Sequence, residues 1–192
     1  MKMCNPFVLQ VQDLPERGEV GRSCVRNVRL PESFGVELYT IPAGSEVHLD
    51  LNLTSAQEGI LVSGTVRATA RGRCSRCLRD FSAQMSENMA ELVFFPERVR
   101  ELTAQGDTQA ADFPVISEDT LDLEPLVRDA LISAMPFTPV CEPDCRGMCS
   151  GCGQLWKDLP ADHSHALPDP RFAALDGLFL QMQAERESEG DQ

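Results

Sequence analysis

The sequence predicts an α+β protein: a mostly antiparallel β-sheet or partial barrel, followed by a helix, a zinc-knuckle segment and a C-terminal helix. Three observations predict it. Strand-like alternation marks the first half, where Val47, Leu49, Leu51 and Leu53 face one way and His48, Asp50 and Asn52 the other. Apolar residues at helical spacing appear in the second half, at Leu123, Leu126, Val127, Ala130, Leu131 and Ala134. Four cysteines then crowd into twelve residues, Cys141 to Cys152.

Taken in order, Phe7–Val11 is a short strand and Pro15–Arg22 a charged loop. Val36–Ile41 is a second strand, closed by Pro42 and Gly44. Glu46–Leu53 is half-buried, with His48 on its exposed face. Gln57–Gly59 is a turn, and Ile60–Ala70 a strand running on to Gly72 and Cys74-Ser-Arg-Cys77. Phe81, Ala83, Met85 and then Met89–Phe95 resume β-compatible spacing, which puts this CxxC at a hairpin tip. Residues 96–119 lose periodicity and turn polar, which predicts an acidic, mobile loop; Glu118 and Asp119 read as a solvated turn. Thr120 or Asp122 can cap a helix over Leu123–Ala134, ended by Pro136 and Pro139. Asp169-Pro170 supplies an N-cap and a first-turn proline for a last helix over Arg171–Ala184. The expected regions are 1–95, mainly β; 96–119, the loop; 120–184, helix, cysteine segment and terminal helix; and 185–192, an acidic tail. At 192 residues they are expected to make one domain overall.

No apolar run approaches the roughly 20 residues that span a bilayer. The first residues lack the apolar core and small-residue cleavage site of a secretion signal. The expectation is a cytoplasmic protein with reduced thiols and no membrane partner. Charge is uneven: residues 1–80 carry ten basic and nine acidic side chains, residues 81–192 seven and twenty-one. A net charge of −13 argues against wholesale binding to nucleic acid, and the acidic half suits a basic protein partner as well as plain solvation. One segment opposes the trend. Arg67, Arg71, Arg73, Arg76 and Arg79 bracket the CxxC with no acid among them, and read either as a solvated strand face or as an RNA or phosphate contact patch.

In a reducing compartment, clustered cysteines favour a metal. Cys149-Ser-Gly-Cys152-Gly153 is a knuckle in which two thiolates grip one Zn²⁺ and the glycine permits the tight turn. His163-Ser-His165 follows at a distance that lets imidazole complete a site. Cys74, Cys77, Cys141, Cys145, Cys149, Cys152, His163 and His165 are enough ligands for two tetrahedral ions. One partition pairs Cys149 and Cys152 with His163 and His165, leaving Cys74 and Cys77 with Cys141 and Cys145. The other puts all four late cysteines on one ion. Cys4 and Cys24 have no partner spacing and read as structural thiols.

Catalytic readings fare worse. Cys145-x3-Cys149-x2-Cys152 matches the CxxxCxxC of radical enzymes, but only 40 residues follow, without repeated strand–helix units. A redox CxxC needs a helix N-terminus, whereas Cys74 and Cys77 lie on a β-turn. A Cys–His nucleophile has no support, and no phosphate-cradling GxxxxGK[ST] is present. The expectation is therefore no enzyme and no small-molecule substrate.

Several motifs in order resemble a known bacterial family. They are Gly64-Thr-Val-Arg67, Gly72-Arg-Cys74-Ser-Arg-Cys77-Leu78, Phe94-Phe-Pro96, Asp122-Leu-Glu-Pro-Leu126, the run from Cys141 to Gly153, and Asp169-Pro-Arg-Phe172. Together they resemble the YceD family, the large ribosomal RNA subunit accumulation proteins, with His163-x-His165 similar to its actinobacterial branch. The resemblance implies a role in accumulation of 23S ribosomal RNA, with that RNA or its precursor, or a basic ribosomal protein, as partner. Other branches carry Cys-x-Cys in place of the two histidines, an exchange that zinc ligands tolerate. A redox-responsive zinc-binding regulator is the alternative.

Overall fold

The computed structural model describes residues 5–14 and 21–165, with Leu175, Gly177, Phe179 and Met182 beyond them. The chain divides into two units, Met1–Cys145 and Arg146–Gln192. In chain order the first holds strands β1 (Val8–Gln10), β2 (Arg22–Arg29), β3 (Phe34–Val36), β4 (Tyr39–Ile41), β5 (Glu46–Ser55), β6 (Gly59–Arg73) and β7 (Asp80–Phe94). Helix α1 (Pro96–Ala104), strand β8 (Thr120–Asp122) and helix α2 (Glu124–Ser133) follow. The named strands pair antiparallel throughout, and the main sheet curls into a half-barrel, so the α+β class predicted from sequence stands.

β6 is the spine of the sheet. β7 pairs it along its whole length, from Gly59 opposite Phe94 to Arg73 opposite Asp80. Its other edge is shared: β5 takes Ile60–Ala68 and β4 takes Arg71 and Gly72. β2 flanks β5, and β3 flanks β4. Register is held by the alternation already visible in β5, whose Val47, Leu49, Leu51 and Leu53 are at most 1% exposed. A one-residue slip would turn all four to water at about 1.5–3 kcal/mol each, a penalty comparable with the whole stability of a domain. Gly64 faces Leu51 at φ 149°, where a Cβ would sit 2.2 Å from the Asp50 carbonyl oxygen, so no other residue fits. β1 and β8 form a small ladder, and Phe7, Leu9, Leu121, Leu123 and Leu131 join the same core. α2 packs on β3, β6 and β7.

Four local readings change. The strand expected over Val36–Ile41 is a hairpin, β3 and β4, joined by a turn at Glu37-Leu38. Phe34, Tyr39 and Ile41 are all buried, and an unbroken strand could not put residues 34 and 39 on one face. β2 gave no sequence signal because it is an outer strand with only Cys24 and Val28 buried. Residues 96–119, expected as loop, begin with α1: Pro96 takes the first turn, Glu97 suits the positive helix end, and Arg98 bridges Glu58 at 2.8 Å and Glu101 at 3.1 Å. α1 buries no side chain, so it leaves no apolar period to read. α2 starts at Glu124, and the Asp122 carboxylate accepts its N–H at 2.9 Å from just outside the helix. Of the last predicted helix, Leu175, Gly177, Phe179 and Met182 are helical, and the rest of 171–184 lies outside the described residues, as do 15–20 and 185–192. Among the described residues no helix is long and apolar enough to cross a membrane.

Candidate metal centre

The β6–β7 hairpin closes through Cys74-Ser75-Arg76-Cys77-Leu78. The Cys74 N–H donates to the Arg79 carbonyl at 2.9 Å and the Leu78 N–H to the Cys74 carbonyl at 2.8 Å. This turn needs its last residue left-handed, and Leu78 sits there at φ 57°. The reward is an N–H aimed at sulfur: that of Cys77 lies 3.5 Å from the Cys74 Sγ. The segment after α2 then docks onto the tip. The Ser75 N–H and hydroxyl both donate to the Pro139 carbonyl, at 2.8 and 3.0 Å. Arg76 donates to the Cys145 carbonyl at 3.0 Å and the Pro143 carbonyl at 3.4 Å. Docking brings Cys141 Sγ to 3.7 Å from Cys77 Sγ, and Cys145 Sγ to 3.7 Å from Cys74 Sγ. All four sulfurs lie within 4.8 Å of one another and could hold a metal ion. Cys74, Cys77 and Cys145 are buried and Cys141 half-buried.

The electrostatics set Cys74 and Cys77 apart from Cys141. Burial pushes the Cys74 thiol up, but hydrogen bonds from the Cys141, Cys77 and Arg76 backbone outweigh it and bring Cys74 down to about 6. The Arg79 backbone N–H chiefly holds Cys77 low. Burial first, then the neighbouring thiols of Cys145, Cys77 and Cys74, pushes Cys141 up to about 12. The Arg79 guanidinium bonds the Cys77 thiol and is itself raised by it.

The second unit holds the other cluster. Cys149-Ser150-Gly151-Cys152-Gly153 folds into the same turn: the Cys149 N–H donates to the Gln154 carbonyl, and the Gly153 N–H to the Cys149 carbonyl, both at 2.8 Å. Gly153 takes the left-handed position at φ 70° without a side chain to strain. The Cys152 backbone N–H lowers Cys149, with burial opposing. His163 Nε2 lies 3.6 Å from Cys152 Sγ, and its ring meets His165 edge-on at 4.5 Å. A Cβ on Gly151 would sit 2.5 Å from the His165 ring, so that glycine makes room for the imidazole. Ligand atoms of Cys149, Cys152, His163 and His165 also lie within 4.8 Å of one another. Cys149 is buried, while Cys152 and His165 are exposed.

Of the two partitions left open by spacing, the structure assembles the one that separates the clusters. Cys24 is buried in β2, outside both, and Cys4 lies outside the described residues. None of the described cysteines is in a disulfide. The arginine patch splits. Arg67 and Arg71 project from the outer face of β6, Arg73 is exposed there but donates through Nε to the Leu78 carbonyl at 2.9 Å, and Arg76 and Arg79 turn to the cysteine cluster. Sequence reasoning missed that division. The repeated Cys-Ser-x-Cys was its available signal, because a matching turn at both places fixes which residues face sulfur.

The family model described as large ribosomal RNA subunit accumulation protein YceD matches residues 62–179. An uncharacterized protein of Mycobacterium tuberculosis is 34% identical over 173 residues, covering 90% of this chain and 81% of the relative. One from Mycobacterium leprae is 29% identical over 177 residues, covering 92% and 79%. The uncharacterized protein YlbN of Bacillus subtilis is 27% identical over 109 residues, 56% of this chain and 59% of that one. No solved structure matches. The matched span runs from near the start of β6 through both cysteine clusters, and the chain therefore belongs to the YceD family, named for accumulation of the large ribosomal RNA subunit.

Proposed function

We propose that this protein is a non-enzymatic factor for large ribosomal subunit biogenesis that supports 23S ribosomal RNA accumulation by binding that RNA or its precursor in the cytoplasm. The observation that carries the reading is the set of exposed guanidiniums, Arg67, Arg71 and Arg73, on one strand of a protein whose net charge is −13. Cations kept together against such a background suit phosphate. The test is depletion in the native host, followed by the ratio of large- to small-subunit ribosomal RNA. The expected result is a fall in that ratio with accumulation of large-subunit precursor. An unchanged ratio with normal subunit profiles overturns the reading. The excess of acids after residue 80 favours a second reading, a chaperone of a basic ribosomal protein. In that case charge reversal at Arg71 and Arg73 leaves cellular function intact.

Zinc is the ion we propose for both clusters. Tetrahedral bonds of about 2.3 Å to sulfur and about 2.05 Å to nitrogen require S···S edges near ~3.8 Å and S···N edges near ~3.6 Å. The observed separations are 3.7 Å for both sulfur pairs and 3.6 Å for Cys152 and His163. Four protein ligands per ion leave no open position, so zinc here would hold chain segments together and offer no site for substrate. Arg76 and Arg79 would offset the net negative charge of a tetrathiolate site. Zinc content of the purified protein below about half an equivalent, prepared without chelator, overturns the assignment.

A further inference from the structure

We infer that the outer face of β6 and β7 recognises paired, A-form RNA through its backbone and not unpaired RNA through its bases; this rests on the RNA reading above. The register decides what surrounds each arginine. Arg67 stands between His48 and Ser86, and Arg71 between Thr40 and Ser82. Thr69, between them along β6, accepts a hydrogen bond from Gln84 at 3.0 Å. Short hydroxyl and amide side chains, with His48, therefore flank Arg67 and Arg71, while Arg73 faces Asp80 and donates through Nε to the Leu78 carbonyl at 2.9 Å. Asp80 is the one acid on the outward positions of these two strands. At about 3.3 Å per residue, Arg67 to Arg73 spans about 20 Å, enough to meet several phosphates of one duplex.

The same face has no run of successive rings on which unpaired bases could stack. Single-strand binders stack successive bases on aromatic rings. Two rings stand on outward positions of β2, β5, β6 and β7, and each already has a partner: Phe94, at the end of β7 far from the arginines, and His48, whose Nδ1 lies 2.6 Å from Asn27 Oδ1. Tyr39 and Phe81 pair at 5.9 Å, with Tyr39 in the core and Phe81 packed against it, and Phe94 stacks on Phe113 at 4.8 Å. Hydroxyls and amides beside arginine suit the 2′-hydroxyls and phosphates displayed across the shallow minor groove of A-form RNA. Equal numbers of phosphate contacts also release more counterions from a duplex than from a single strand.

The test is fluorescence anisotropy of the full-length, zinc-loaded protein with three probes of equal length: an RNA duplex, a polyuridine strand and a DNA duplex. The expected result is tenfold or tighter binding of duplex RNA over both others. Removing Arg67, Arg71 and Arg73 together (each Arg→Gln) should abolish that preference and cut the log–log salt slope by about one per arginine. Arg100→Gln on α1, an exposed cation elsewhere, should change neither, and an unchanged melting profile shows the triple variant folded. Polyuridine bound as tightly as duplex RNA, or tighter, overturns this inference and leaves the RNA reading standing. DNA duplex bound equally overturns the preference for A-form RNA. Binding of none of the three overturns the inference and the RNA reading together.

Discussion

Cys74-Ser-Arg-Cys-Leu78 and Cys149-Ser-Gly-Cys-Gly153 make the same turn with the same two backbone hydrogen bonds, yet the clusters they begin are built differently. The first joins thiols 64 and 71 residues apart, and three of its four cysteines are buried. The second joins Cys152 to His163, only 11 residues on, and leaves two ligands exposed. Cross-linking entropy alone does not separate them much. Treated as closed loops, they give about 4 and about 3 kcal/mol, because the cost grows only logarithmically with length. Burial is what separates them. The first cluster fixes the end of the longest hairpin to the segment leaving α2, while the second organises a short stretch of chain. A shared local motif therefore sets the aim of the thiols, and the surrounding fold sets what an ion held by them would be worth.

The largest expected effect breaks that contrast directly. Cys145→Ser should remove one zinc equivalent and lower the melting temperature by roughly 10 °C or more, since several kcal/mol are lost from a domain of this size. Cys152→Ser should also remove one equivalent but move the main transition by less than about 3 °C. Equal melting shifts would erase the distinction. Next comes chelator kinetics: a colorimetric chelator should draw zinc from the protein in two phases, at least about tenfold apart, with Cys152→Ser removing the faster one. A single phase in the wild type would mean that burial does not protect the first site. Third, Arg79→Leu should weaken zinc at the first cluster about 10- to 100-fold in competition titrations, as loss of partners around metal ligands does, and leave the second cluster unchanged. The smallest effect concerns the turns. Leu78→Gly should be neutral to stabilising by at most about 1 kcal/mol, and Gly153→Leu destabilising by about 1–2 kcal/mol, read by chemical denaturation of the zinc-loaded protein.

Much of the half-barrel was legible because its strands alternate strictly. Val47 to Leu53 and the flanks of Cys74 announce β5, β6 and β7 without help from tertiary context. β2 and α1 were not, for a common reason: each buries little, and periodicity records burial. The cysteines pointed to clusters that could hold a metal but not to their partition. Which thiols meet depends on Ser75 and Arg76 holding the Pro139–Cys145 segment, and those are contacts between residues far apart in sequence. The arginines were equally ambiguous as a string of charges. Their division follows from the strand ending at Arg73, after which side chains no longer alternate between two faces.

The separation of Cys77 from Cys141 by 64 positions also sets a schedule. A chain made at about 5–20 residues per second exposes the first pair of thiols for about 3–13 seconds before the second pair exists. Through that interval Cys74 and Cys77 form half a site, open to exchange with whatever ion or thiol carrier is near. Only when the segment following α2 emerges can the hairpin tip be sealed. A metal ion held by all four thiols would thus act as a latch thrown late in synthesis: its closure would report that everything between β6 and Cys145 has been made and has found its place.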